Sequence, residues 1–293
     1  MTIIDAHQHV WNPGRARYDW LGPDMTPIDR TMTFDDVRSA LRRSGVDATV
    51  LVQSADNDDD TDLILETAAL TPEIAAVVVY LPLDDPQRAH DRLSQLRVDP
   101  HVVGVRSLIH NRSDPDWIIR PEVDAGLSLL EEADVSFDYV AVLPRHLEHV
   151  RTISERHPKL RIVIDHLAKP PVGAPGRQPW WDLIATAAEN PRVFAKVSGL
   201  YSSVGAMADW TTDDVRPLFE RAVEVFGADR LMYGGDWPIS VLAGGYDRVW
   251  EGLQLLFAEL DVAARSAILG ETAQQFYRID PRLLDAALAK SAE

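Results

Sequence analysis

Eight short runs of β-branched and other apolar residues recur along the chain. Longer stretches separate them, in which apolar positions return at helical spacing. The runs are residues 3–7, 48–53, 74–80, 102–108, 136–140, 161–166, 193–197 and 231–236. Most are apolar at successive rather than alternate positions. That is the pattern of strands buried on both faces, as parallel strands are when helices cover them. Between the runs, Thr33 with Asp36 three residues on reads as a helix-opening capping box, and Gly45 as that helix's stop. Pro121 suits a first helical turn, and residues 145–157, 213–226 and 247–260 read as amphipathic helices. Strands alternating with helices over 293 residues predict an α/β fold, a single-domain (β/α)8 TIM barrel covering 1–293. Its core runs from about 3 to 277, with a C-terminal helical tail over 278–293. The other α/β arrangement, an open doubly wound sheet, lacks a Gly-rich phosphate loop after any strand.

A barrel directs attention to the C-terminal ends of its strands, where such folds carry their chemistry. Those ends supply His7 and His9, Gln53, Tyr80, Arg106 with His110, Val140, Asp165 with His166, Lys196 with Ser198, and Asp236. His7 and His9 stand two apart, so they project to one side of a strand. Such a pair can grip a cation or a carbonyl oxygen, and it also suits two exposed loop histidines. His166 closes the apolar run Ile162-Val163-Ile164, as a site group or as a cap bonded to a loop. Strand alternation sets Asp165 and His166 on opposite sides and predicts His166 inward, Asp165 outward. Asp236 follows Gly234-Gly235, which allow close backbone approach, and precedes Trp237-Pro238, which fixes the turn. A helix N-cap is its other reading. Three histidines and a carboxylate thus converge on the predicted barrel mouth.

Composition removes several classes of function. Lys+Arg number 29 against 46 Asp+Glu, a net charge of −17. Such a surface repels phosphate backbones and anionic lipid, so neither a nucleic-acid nor a membrane partner is expected. The absence of cysteine excludes disulfides, thiol nucleophiles, Cys-ligated zinc and iron–sulfur clusters. Residues 1–5 lack the basic region of a signal peptide, and the longest apolar run, 74–83, is too short to span a bilayer. The expectation is a cytoplasmic enzyme. The acidic run 56–62 lacks the glycine of a calcium loop at its sixth place and has Thr67 at its twelfth; it reads as a helix N-terminus. His90, His101, His146, His149 and His157 are taken as surface or packing residues. No Gly-x-Ser-x-Gly elbow, Walker motif or His-Glu-x-x-His occurs.

Six motifs in order carry a resemblance to a known family. They are Asp5-Ala6-His7-Gln8-His9-Val10-Trp11, Val52-Gln53, Gly104-Val105-Arg106, Asp165-His166-Leu167-Ala168-Lys169-Pro170, Lys196-Val197-Ser198-Gly199-Leu200 and Tyr233-Gly234-Gly235-Asp236-Trp237-Pro238. From Ile3 to about Tyr277 the chain resembles the amidohydrolase superfamily. Within it, the match is to the amidohydrolase-related branch of sugar-lactone and dicarboxylate-lactone hydrolases, which includes L-fuconolactonases, L-rhamnonolactonases and pyrone-dicarboxylate lactonases. Binuclear members of that superfamily carry a bridging Lys or Glu on the fourth strand and a histidine on the fifth. Here Val105-Arg106-Ser107-Leu108 and Phe137-Asp138-Tyr139-Val140 supply neither, and Thr272 stands where asparagine is usual.

The resemblance therefore implies one divalent metal, zinc first, or none, with His7, His9, His166 and Asp236 as its ligands. It implies a lactonase acting on a small-molecule sugar lactone, with homo-oligomerisation left open. Asp236 is then the general base, and the histidines, directly or through the metal, polarise the carbonyl. Arg106 is read as a substrate clamp or a structural ion pair. His110 is read as a substrate contact, and Gln53, Lys196 and Trp237 as substrate contacts or packing. The loop over residues 11–21 is expected to cover the site. A metal-dependent decarboxylase of the same superfamily, a lactone isomerase and a non-catalytic binding protein are the competing functions.

Overall fold

Eight parallel strands pair in strict chain order: β1 (Ile4–Gln8), β2 (Ala48–Val52), β3 (Ile74–Tyr80), β4 (Val102–Ser107), β5 (Ser136–Tyr139), β6 (Ile162–Ile164), β7 (Val193–Val197) and β8 (Leu231–Tyr233). The structure, a computed structural model, describes residues 1–110, 112–204 and 206–291, so the last two residues of the expected tail lie outside the described residues. The ring closes just past the named strands. The Asp236 amide donates to the His7 carbonyl at 2.8 Å and the His9 amide to the Trp237 carbonyl at 2.8 Å. The predicted TIM barrel is the fold found.

Every residue of β1, β2, β3 and β5 is buried, which accounts for the apolar runs of β2 and β3, while the polar residues of β1 and β5 are buried in charged and hydrogen-bonded clusters. Helices α1 (Phe34–Ser44), α2 (Asp58–Leu70), α3 (Pro86–Leu96), α4 (Pro121–Glu132), α5 (Pro144–Arg156), α6 (Trp180–Ala188), α7 (Thr212–Phe226) and α8 (Tyr246–Phe257) alternate with the strands. Helix α1 begins as its sequence dictates: the Thr33 amide and hydroxyl both donate to the Asp36 carboxylate, and Gly45 ends the helix at φ 67°. The acidic run opens α2, with the Asn57 side chain accepting from the Asp60 amide. Below the barrel, α9 (Val262–Ser266), α10 (Thr272–Tyr277) and α11 (Pro281–Ser291) close the N-terminal ends of the strands. Phe276, Tyr277, Leu284 and Ala287 join the apolar cluster around Ile4, Val50, Val78 and Met232. His146, His149 and His157 are buried packing groups, His149 and His157 facing Asp116 and Asp124. No helix among the described residues is long and apolar enough to cross a membrane.

Two strands end earlier than their apolar runs suggest. β6 stops at Ile164 and β8 at Tyr233. Beyond β6 the chain leaves the hydrogen-bond ladder and turns into the barrel mouth, whereas beyond β8 Gly234 and Asp236 still donate to the Val197 and His7 carbonyls. Asp5 stitches β1 to β8 there. Its buried carboxylate accepts from the Gly235 amide, the Tyr246 hydroxyl and the Gln8 side chain, each at 2.8 Å. Gly235 is obligatory at this join, since a Cβ would fall 2.5 Å from Asp5 Oδ2 and 2.3 Å from the Tyr246 ring.

Candidate active site

At the mouth, the end of β1 sets His7 Nε2 and His9 Nε2 3.1 Å apart. His9 Nδ1 lies 2.7 Å from the Val52 carbonyl, an acceptor only. The His9 proton therefore sits on Nδ1, and Nε2 presents a lone pair to the cluster. His166 Nδ1 lies 2.8 Å from the Ser198 hydroxyl. Asp236 Oδ1 stands 3.9, 3.7 and 4.0 Å from Nε2 of His7, His9 and His166. Three ring nitrogens thus converge on one carboxylate oxygen. The other oxygen, Oδ2, accepts from the Tyr201 hydroxyl at 3.2 Å.

The backbone needed for this convergence is unusual. His166, Leu167, Ala168 and Lys169 have φ of 55°, 48°, 58° and 50°, and Asp236 has 52°. Left-handed backbone costs a non-glycine residue about 1–2 kcal/mol. The turn after β6 corrects the expected orientation of Asp165. Because the strand ends at Ile164, alternation does not reach residues 165 and 166, and both side chains turn inward. Asp165 is buried against His7 Nδ1 (3.4 Å), Lys196 Nζ (3.1 Å) and Arg106 Nη1 (3.2 Å). Gly199, at φ 53°, leaves room for the other acid: a Cβ would lie 2.6 Å from both Asp236 Oδ2 and His166 Nδ1.

Burial sets the charge states. It depresses His7 and His9 well below the usual imidazole range, aided by Lys196 and Arg106 respectively, and it lowers His166 to about 3. The three rings are neutral. Burial also pushes Asp236 up to about 7, and a cation held in the cluster would draw it back down. Burial opposes charge on Asp165 too, yet Lys196, His7 and Arg106 hold its carboxyl well below the usual carboxylate range.

The cluster opens into a cavity of about 270 Å³ whose polar lining includes His9, Arg106, His110, His166, Lys169 and Asp236. Trp20, Leu108, Met207 and Ile239 are among its apolar lining residues. His7 sits behind this wall, fully buried. The 11–21 loop does cover the site: Trp20 packs edge-on against Trp11 at 5.1 Å, and its indole N–H donates to the Ser54 carbonyl. Gln53, Lys196 and Trp237 lie outside the cavity lining. The Gln53 amide donates to the Arg106 carbonyl at 3.1 Å, bracing Arg106 from behind, and Lys196 is buried beneath His7. Tyr201 and Lys169 join the site without a signal that singles either out in the sequence. The one pointer to Tyr201 is its place two residues after Gly199, just past the turn that ends β7.

Among the described residues two groups could hold a metal ion: His7 with His9 and Asp236, and His7 with Asp165 and His166. The first fits a divalent cation chemically, since His9 Nε2 carries a lone pair and nitrogen and carboxylate donors suit zinc-like ions. His7 Nε2 of the same group lies 3.0 Å from Arg106 Nη1. The amidohydrolase family model matches residues 4–279. An L-fucono-1,5-lactonase of Burkholderia ambifaria is 36% identical over 283 residues, covering 94% of this chain and 96% of that protein. An L-fucono-1,5-lactonase of Burkholderia multivorans is 33% identical, covering 97% of this chain and 98% of that one. A crystal structure of an amidohydrolase from Burkholderia multivorans with bound zinc superposes with a TM-score of 0.87 at 30% identity, covering 96% of this chain and 100% of that one.

Proposed function

The chain belongs to the amidohydrolase family, and from that premise we propose that it is a lactonase that opens a sugar-acid lactone by attack of water on the ring carbonyl. The observation that carries this reading is Asp236 on the cavity wall, its Oδ1 facing three neutral imidazole nitrogens. The Asp236 carboxylate takes a proton from the attacking water, the ring C–O bond breaks, and the same proton passes to the departing alkoxide. The product is a hydroxy acid. The Tyr201 hydroxyl holds the second carboxylate oxygen and so fixes the angle of the acceptor.

His9, with its proton committed to Val52, cannot donate to a carbonyl oxygen; its Nε2 lone pair, 3.1 Å from His7 Nε2, suits a cation. His7, His9, His166 and Asp236 would hold one divalent ion, zinc first. When bound, such an ion supplies Lewis-acid polarisation of the carbonyl and lowers the pKa of bound water. Arg106 serves two partners: it pairs with Asp165 and presents its guanidinium edge to the cavity, where it can donate to substrate oxygens. His110 and Lys169 line the same wall and suit sugar hydroxyls. The charge of −17 disfavours nucleic-acid and anionic lipid partners and is compatible with a small-molecule substrate.

The test is a panel of sugar-acid lactones, beginning with L-fucono-1,5-lactone, followed by proton release and by carbon dioxide release. Stoichiometric proton release with no carbon dioxide is expected. Carbon dioxide from aromatic or dicarboxylic acids, with inert lactones, would replace the lactonase by a decarboxylase.

A further inference from the structure

Beneath the cavity lies a second charged cluster that the proposed reaction does not use. Lys196 from β7 is fully buried, and its Nζ lies 2.5 Å from Asp138 Oδ2, 3.1 Å from Asp165 Oδ1 and 3.0 Å from His7 Nδ1. The Tyr277 hydroxyl of α10 donates to the same Asp138 oxygen at 2.7 Å. Neither oxygen of Asp165, nor Oδ1 of Asp138, meets a hydrogen-bond donor in good geometry. Ion pairs therefore answer their charge: Lys196 for both acids, and Arg106 at 3.2 Å for Asp165. Buried carboxylates keep their charge only when a cation is beside them.

The geometry points to Lys196 as a built-in second cation: its ammonium occupies the inner of two cation positions in this barrel and restricts exchangeable metal to the outer one. Two of its three partners, His7 and Asp165, also belong to the inner metal-capable group. A divalent ion placed there would meet an ammonium that cannot ligate it and repels it at close range. Lys196 and Arg106 together balance Asp138 and Asp165, so the inner cluster is closed in charge. Asp236 is left as the carboxylate on the cavity wall. Lys196 is on this account a positioning residue, acting through His7 and Asp165.

The inference deepens the metal reading above, and its test separates the two. Cobalt(II) alone is the probe, with bound ions counted per chain by native mass spectrometry and by cobalt absorption. Lys196→Ala removes the ammonium and is expected to bind one cobalt more than the unaltered protein, with a larger rise in melting temperature on cobalt addition. Lys196→Ala combined with Asp138→Asn removes one charge of each sign and is expected to gain no ion. Counts of one and two support both readings. Counts of zero in the unaltered protein and one in Lys196→Ala support the lysine's role and discard the outer metal. Two ions in the unaltered protein, or equal counts in both, overturn the inference. So does a Lys196→Ala chain that stays aggregated when produced in cobalt while the double variant folds.

Discussion

Asp236→Asn is expected to lower kcat by about a hundredfold or more, the range that a positioned general base supplies. The amide has the carboxylate's shape but cannot accept a proton in the transition state. The surroundings tolerate the exchange. The amide oxygen can still accept from Tyr201, and the amide N–H can face the ring nitrogens that now surround Oδ1. Fold and substrate binding should therefore persist, so the loss falls on kcat rather than KM. Initial rates of proton release, with near-ultraviolet circular dichroism as a control for folding, measure it. Near-normal turnover in Asp236→Asn beside an inactive but folded Asp165→Asn would show that the other acid is the base.

Asp165→Asn should fail differently. Its carboxylate lies between Lys196, Arg106 and His7, with no water-exposed surface on its side chain. Removing that charge leaves Lys196 with Asp138 alone and takes from Arg106 its ion-pair partner. Breaking a buried ion pair from one side costs about 3–5 kcal/mol. Asp165→Asn should lose stability on that scale in guanidinium denaturation, whereas Asp236→Asn should change far less. A loss below about 1 kcal/mol for Asp165→Asn would mean that the inner cluster is not held by its charge balance.

The two acids show where a sequence informs and where it does not. Asp236 was legible because a carboxylate after Gly234-Gly235 interrupts an apolar strand, and His166 because an imidazole ends another. The order of the barrel was legible for a similar reason: strands buried on both faces leave uninterrupted apolar runs. Asp165 was assigned outward because alternation was carried past Ile164. Nothing in Asp165-His166-Leu167-Ala168-Lys169 announces four successive left-handed residues, since no glycine marks the turn. Lys196 was legible as a polar residue in an apolar strand. Its destination, beneath His7 rather than in the cavity, depends on Asp138, 58 residues earlier and two strands away. Only the pairing of β5, β6 and β7 side by side brings that pair together.

The central claim is that water attacks the ring carbonyl of a lactone, and ring opening in 18O-labelled water tests it most directly. Mass spectrometry of the product after a single conversion should find one 18O atom, in the new carboxylate, and none in the hydroxyl that was the ring oxygen. Product without label, or label in that hydroxyl instead, would contradict the account.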